Sequence, residues 1–309
     1  MQFVIDDMEF VFSEEANFDN IERLEVLLDL LDDIWSDGWV AYYSEELFYK
    51  EVGWGRTLYE LYADDAPLKI PRNVQERLGA LFSRLPKCDD SDDIPESFEL
   101  QVDEESVEAV AVAWAAYQIS LGRPTACVVL GGGRLEGPVR VVSDYGDIKI
   151  WFVSDDECYR SFVRWLIACC SRNTHEMECY ASSAFPNLIF LEGVFGGIKS
   201  MAKGYLELRE PITRHLSVFS DYGCEIFSGD RAKISARFGA FGVDISNENG
   251  NTRQDADAVA ARKRIYNGEE LEFFWHSKIE RHQNRIHICP DKVFELGKIV
   301  VGVFCLHLK

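Results

Sequence analysis

Basic residues are scarce in this sequence: 309 residues hold 32 Lys and Arg against 53 Asp and Glu, a formal net charge of −21. A surface that acidic repels nucleic acid and favours either solubility or a basic partner. Long apolar runs are missing too. No stretch approaches the roughly 18 uninterrupted apolar residues of a membrane span, so no membrane partner is expected. The opening residues, MQFVIDDMEF, carry acids where a secretory signal carries bases. The nine cysteines include no Cys-x-x-Cys pair, and an odd count leaves at least one thiol unpaired. Cys127, Cys169, Cys170 and Cys305 sit inside apolar runs, as small buried hydrophobes do. These absences point to a cytoplasmic, soluble protein with free thiols and no cysteine-based zinc framework. No fingerprint of a nucleotide or other cofactor is present, and none is expected to bind.

What is present is a core. Hydrophobic residues make up 47% of the chain and aromatics 13%, enough for a packed interior rather than an acidic disordered tail. The charge is segregated: residues 1–108 hold 29 acids and 8 bases, whereas residues 109–309 hold 24 of each. Ile21, Leu24, Leu27, Leu28 and Leu31 recur at helical spacing behind Asp19 or Asn20 as N-cap. Further helices are predicted over 71–85 and 107–121, the latter stopped by Gly122 and Pro124. The aromatic stretch 39–54 reads as core or as an interface. The acidic, Pro-containing segment 88–105 reads as a linker. Beyond residue 122 the period shortens: strands are expected over 126–130, 139–142 and 147–153, and after Pro186. Helices are expected over 155–168, 197–208, 210–219 and 252–266, and closing strands over 271–278, 284–289 and 298–306. The fold class is therefore α+β. An acidic, mainly helical region over 1–122 precedes a mixed α/β domain over 123–309 that ends in a three-stranded antiparallel sheet.

Three motifs invite a chemical reading. Gly131-Gly132-Gly133 follows a strand, but it leads to another strand rather than a helix N-terminus, so a hairpin loop is expected instead of a phosphate cradle. Glu136 followed by Asp147-Ile148-Lys149 has the acid and acid-x-Lys order of Mg²⁺-dependent nucleases, in which the acids hold the ion and the lysine steadies the phosphate. SDYG at 143–146 and again at 220–223 is turn chemistry twice over.

The C-terminal end is denser in such residues. Four of the six histidines, His276, His282, His287 and His307, lie in the last strands. His276 and Lys278 share one face of a strand, as do Arg285 and His287, because side chains alternate with period two. Cations on one strand face are commonly the wet side of an antiparallel sheet. If the strands are neighbours, however, His276, Lys278, Arg285, His287 and His307 can gather around one point. Arg and Lys would then neutralise a phosphate while histidine moves protons. No His-x-His pair and no carboxylate at ligand spacing accompanies them, so no metal is expected. Neither His287 nor Arg285 is expected to be essential to the fold.

Arg285-Ile286-His287 and residues 299–307 resemble the RelE/YoeB-type mRNA interferase toxins, small α+β proteins whose C-terminal antiparallel sheet carries Arg, His and Lys. The resemblance covers about forty of the 309 residues, and those toxins are shorter and strongly basic. It implies metal-independent RNA cleavage by a protein of microbial toxin or defence type, with His287 or His307 as acid/base and Arg285 and Lys278 on the phosphate. RNA is then the partner of the C-terminal part. The alternative is a non-catalytic interaction protein whose acidic, aromatic-rich N-terminal region binds a basic protein.

Overall fold

The computed structural model describes residues 1–15, 17–90, 94–280 and 283–308, which form two compact units, residues 1–162 and 163–309. In the first unit the elements are β1 (Gln2–Ile5), α1 (Asn17–Ser36), β2 (Val40–Tyr42), β3 (Glu51–Gly53), β4 (Arg56–Thr57), α2 (Arg72–Arg84), β5 (Glu99–Val102), β6 (Glu105–Glu108), α3 (Val110–Ser120), β7 (Thr125–Val128), β8 (Gly137–Ser143), β9 (Gly146–Val153) and α4 (Asp156–Trp165), the last running across the divide. A seven-stranded sheet in the order β2-β1-β7-β9-β8-β5-β6 organises it. The strands β2, β1, β7 and β9 are mutually parallel, whereas β8, β5 and β6 extend the sheet in antiparallel fashion.

Burial explains these assignments. The strand β7 reads TACV, buried at every position, as a parallel strand covered on both faces requires. The helix α3 is apolar on most sides and packs its Trp114 into the core with Val4, Phe152 and Leu100. On α1, Leu24, Leu27, Leu28 and Leu31 are buried, as their spacing predicts. Asn20 is not a cap. It lies within α1 and binds back to the main chain of Ser13.

Several expectations change. The units part at 162/163 rather than at 122/123, because β1 takes β7 as its parallel neighbour and so draws residues 123–153 into the first sheet. The mainly helical character of 1–122 stands, but that region also supplies strands. The supposed linker 88–105 contains β5, and β5 turns into β6 through Asp103 and Glu104, both at positive φ as a two-residue hairpin demands; its residues 91–93 lie outside the described residues. Gly131–Gly133 is not a hairpin loop, since β9 lies between β7 and β8. Its phosphate-cradle reading fails for a further reason: the Glu9 carboxylate accepts from the Arg134 and Leu135 amides, so the chain's own anion fills the loop.

In the second unit the elements are α5 (Thr174–Ala184), β10 (Leu188–Phe190), α6 (Tyr205–Ser228), α7 (Ile234–Ala240), β11 (Asp244–Asn247), α8 (Gly250–Gln254), α9 (Ala256–Ala261), β12 (Lys263–Tyr266), β13 (Glu269–Glu272), β14 (Trp275–Glu280), β15 (Gln283–Cys289), α10 (Val293–Leu296) and β16 (Ile299–Cys305). Its five-stranded sheet has the order β10-β16-β15-β14-β11, so the three closing strands are antiparallel neighbours, as expected. The predicted helix over 252–266 breaks into α8, α9 and β12, because residues 263–266 pair with β13. Of the helix expected over 197–208 only 205–208 are α-helical, residues 194–200 forming a 3-10 helix instead. These four join the helix expected over 210–219 in α6, which continues through Pro211. SDYG is a β8–β9 turn at 143–146 but lies inside α6 at 220–223, where a Cβ on Gly223 would come within 2.4 Å of the Ile299 side chain. Among the described residues no helix is long and apolar enough to cross a membrane.

Two buried titratable groups give the units opposite responses to pH. Asp6, fully buried at the end of β1, is pushed from its ordinary 3.8 to about 7, first by burial and then by the adjacent Asp7. Between those values the folded chain keeps a proton that the unfolded chain has released, so unit 1 loses stability as pH rises. His215 on α6, bonded through Nδ1 to Ser277 Oγ at 3.0 Å, is lowered from 6.5 to about 4 by burial, with Arg214 next in effect. In that window the unfolded chain binds the extra proton, so unit 2 loses stability as pH falls. Peptide-resolved hydrogen exchange, corrected for intrinsic rates, should show protection in β1 and β7 falling from about pH 5 to 8. Protection in α6 and β14 should fall from about pH 7 to 4. Asp6→Asn should flatten only the first trend, and identical responses in both units would contradict the assignment.

Candidate functional site

Register decides what the last strands bring together. His276 on β14 lies directly opposite His287 on β15, and Lys278 lies opposite Arg285. On the other side of β14, Ser246 and Asp244 of the edge strand β11 face His276 and Lys278. With side chains alternating along each strand, these groups share one sheet face. Ser277 and Ile286, on the opposite face, are buried. The segment after β11 adds Glu248, the turn after α9 adds Arg262, and the end of the chain adds His307. Together they line a cavity of about 310 Å³. The five residues picked from the sequence, His276, Lys278, Arg285, His287 and His307, all line it. His282 lies outside the described residues.

The groups differ in their surroundings. Lys278 is half-exposed, and its ammonium stands 3.2 Å from both oxygens of Asp244. Arg285 is 5% exposed, and its Nη1 donates to the carbonyls of Glu280, Gln283 and Asn284, so it ties the end of β14 to the start of β15 as well as lining the cavity. His287 is 1% exposed, with Nδ1 held 3.0 Å from the Phe273 carbonyl. Neither residue is on the wet side of the sheet, and the expectation that both are dispensable to the fold is corrected accordingly. His307 is exposed at the mouth.

Burial is the main cause of the histidine shifts. It drives His287 down to about 3, against the opposing effect of the Phe273 bond, with His276, Arg262 and Arg285 lowering it further. His276 is lowered in the same way; Glu248 opposes the shift, while Arg285 and Lys278 add to it. Both rings are therefore neutral near pH 7, and their centroids are 5.1 Å apart. Of the two histidines expected as acid/base, His287 is the buried one with lowered proton affinity, and His307 is the exposed one.

Sequence reasoning missed Glu248, Arg262 and Ser246 as members. The Nδ1 of His276 is 3.3 Å from Glu248 Oε1, and its Nε2 is 3.1 Å from Ser246 Oγ. Arg262, 2% exposed, donates through Nε to Glu248 Oε1 at 2.9 Å. A signal existed in the alternation of Asp244, Ser246 and Glu248, which marks a polar strand face continuing past β11. The absence of a carboxylate near the histidines, inferred from local spacing, is corrected: Glu248, His276 and His287 each place a ligand atom within 4.8 Å of the other two.

The Mg²⁺ nuclease set does not assemble. Asp147 pairs with Val142, six residues along β8 from Glu136, or about 20 Å at ~3.3 Å per residue. Asp147 is also engaged by both Nε and Nη2 of Arg140, and Glu136 accepts from Ser154. Lys149 therefore has no acid pair to work with.

No protein-family model, curated protein or solved structure matches the chain. The geometry of the cavity carries the functional argument by itself.

Two variants should separate cavity from core. His287→Ala leaves the Phe273 carbonyl without its buried donor and should cost about 1–3 kcal/mol in denaturant unfolding. Lys278→Ala should stay within about 0.5 kcal/mol, because its ion pair is near the surface. Equal losses in both would show that the cavity wall is structural throughout.

Proposed function

We propose that the cavity of the second unit binds and processes nucleic acid, with RNA as the substrate class. Convergence carries this reading: Lys278, Arg285 and Arg262 come from three separate elements to one polar cavity that also holds three histidines. The charge distribution supports it. Unit 1 holds 35 acids and 13 bases, whereas unit 2 holds 18 acids and 19 bases, so the acid excess that repels phosphate is confined to the unit without the cavity. Lys278 and Arg285 take the phosphate oxygens and the charge that builds on phosphorus. The RNA 2′-hydroxyl gives its proton to His307 as its oxygen bonds to phosphorus and the bond to the 5′-oxygen breaks, and the leaving 5′-oxygen takes up a proton from water. His307, exposed at the mouth, is the histidine placed to exchange protons with solvent. His276, half-buried, and His287, buried, are neutral and orient and bind instead. The toxin or defence role belongs to the same proposal and rests on the resemblance of residues 285–287 and 299–307 alone.

Labelled single-stranded RNA and DNA, incubated with the full chain, test this directly. RNA should be cut and DNA left intact, for want of the 2′-hydroxyl. Lys278→Ala should cut RNA about 10- to 100-fold more slowly while keeping the wild-type unfolding midpoint. A folded protein that neither binds nor cuts RNA would sink the reading.

A second reading concerns unit 1. Tyr49 and Tyr59 are 66% and 58% exposed with ring centroids 6.3 Å apart, on the unit that carries the acid excess. Exposed aromatics among acids suit a basic protein partner through hydrophobic and cation–π contact. A polycationic peptide should bind the full chain with an affinity that falls with salt, and Tyr49→Ala with Tyr59→Ala should weaken it about 10-fold. Binding indifferent to both changes would remove the aromatic pair from the account.

A further inference from the structure

Each of the three groups at the floor of the cavity is held from behind. His287 gives its Nδ1 proton to the Phe273 carbonyl at 3.0 Å, which leaves Nε2 as the lone-pair nitrogen. His276 places Nε2 3.1 Å from Ser246 Oγ. With the proton there, its Nδ1 is the lone-pair nitrogen, and that atom faces Glu248 Oε1 at 3.3 Å. Glu248 is held by Arg262 Nε at 2.9 Å. Metal-binding histidines characteristically give their second ring proton to a carbonyl or hydroxyl in this manner, and metal-binding carboxylates are themselves hydrogen-bonded.

In that tautomer the arrangement contains an electrostatic misfit. His276 Nδ1 is buried, has no partner at good hydrogen-bond geometry among the described residues, and stands beside a carboxylate oxygen. With Nε2 carrying the proton, two lone pairs face each other at that distance and repel. A cation between them removes the repulsion. Two ligands of a tetrahedral ion with bonds of about 2.0–2.1 Å stand roughly 3.3 Å apart, the separation found here. Donor atoms of Glu248, His276 and His287 all lie within 4.8 Å of one another.

We propose that Glu248, His276 and His287 form a binding site for a divalent transition-metal ion of the zinc type. Two imidazoles and one carboxylate suit such an ion and leave positions open for water or a phosphate oxygen. Arg262 does not compete for the site, because a carboxylate offers about four lone-pair positions on its two oxygens. The ion adds positive charge to a wall that already holds Lys278 and Arg285, so an anionic ligand is drawn in more strongly with the metal bound. The inference shares its cavity with the RNA reading but does not depend on it, since the ion is titrated without nucleic acid.

The test uses the full chain, stripped of metal by a chelator and titrated with Co²⁺ and then Zn²⁺. One equivalent of Co²⁺ should bind with visible absorption typical of low coordination number, and Zn²⁺ should displace it. Glu248→Gln and His276→Gln should each lose binding at least 10-fold while keeping the wild-type circular dichroism. Ser246→Ala, which touches only the outer shell, should lose about 10- to 100-fold. His287 is left unchanged because its replacement disturbs the core. Three outcomes would overturn the proposal. One is no stoichiometric binding by folded protein. A second is binding unaffected by Glu248→Gln and His276→Gln and accompanied by a thiolate charge-transfer band, which would assign the ion to the exposed cysteines. The third is covalent labelling of Ser246 by a fluorophosphonate without metal binding, which would make Ser246, His276 and Glu248 a nucleophile relay.

Discussion

The second unit depends on a central strand that buries polar side chains. The strand β15 lies between β14 and β16 and is buried from Asn284 to Cys289, yet it carries Asn284, Arg285 and His287. Buried polar groups are stable only when bonded, and each of these dictates a neighbour. Asn284, at φ +59, accepts from the Ala202 amide at 2.8 Å and so ties the segment before α6 to the sheet. Arg285 gathers the carbonyls of Glu280 at the end of β14 and Gln283 at the start of β15. His287 fixes the Phe273 carbonyl, and the Phe273 ring lies over Gly302, where a Cβ would come within 2.2 Å of it. Gly302 is the extra residue of a β-bulge, since His287 pairs with Val303 and Ile288 with Val301. The bulge, the glycine, the aromatic ring and the histidine tautomer are thus one connected arrangement, and the cavity is its polar end.

Charge is distributed on the same logic. Unit 1 tolerates a large acid excess because most of its carboxylates are solvated, where mutual repulsion is screened within about 8–10 Å. The exceptions, Asp6 and Asp7, are buried at the end of β1, and burial raises both above the ordinary carboxylate range. Unit 2 is close to neutral, and two of the cations lining its cavity are matched with acids, Lys278 with Asp244 and Arg262 with Glu248. Matched pairs hold side chains in place without producing a strong field. A strong field would require a further charge, such as the metal ion inferred here, or the displacement of Asp244 by an incoming anion.

The parts of the fold and site that were legible in the sequence are those set by local period. The alternation in WHSK and NRIHIC placed His276, Lys278, Arg285 and His287 on one face, and the spacing of α1 gave its buried stripe. What local period cannot encode is which strand becomes the neighbour. Residues 125–128 pair with the N-terminal strand, so the unit boundary moved by forty residues from 122 to 162. Residues 263–266 have helical company on their N-terminal side but find a strand partner in 269–272, and tertiary pairing overrode propensity. Glu248 was invisible for a related reason. It lies 28 residues from His276 in the chain, and only the β11–β14 register brings it to the ring.

Burial also redefines the chemistry open to the site. A histidine that shuttles protons needs an affinity near ambient pH and contact with solvent or substrate. Burial lowers the proton affinity of His287, and His276 is shifted in the same direction. Neutral imidazoles in fixed tautomers are poor proton carriers, but they are good ligands, because the lone pair is already exposed and no proton must leave on binding. The same desolvation that removes these residues from acid–base catalysis therefore prepares them for coordination. In the proposed RNA cleavage the proton transfers then fall to groups at the mouth of the cavity, with the floor supplying charge and orientation.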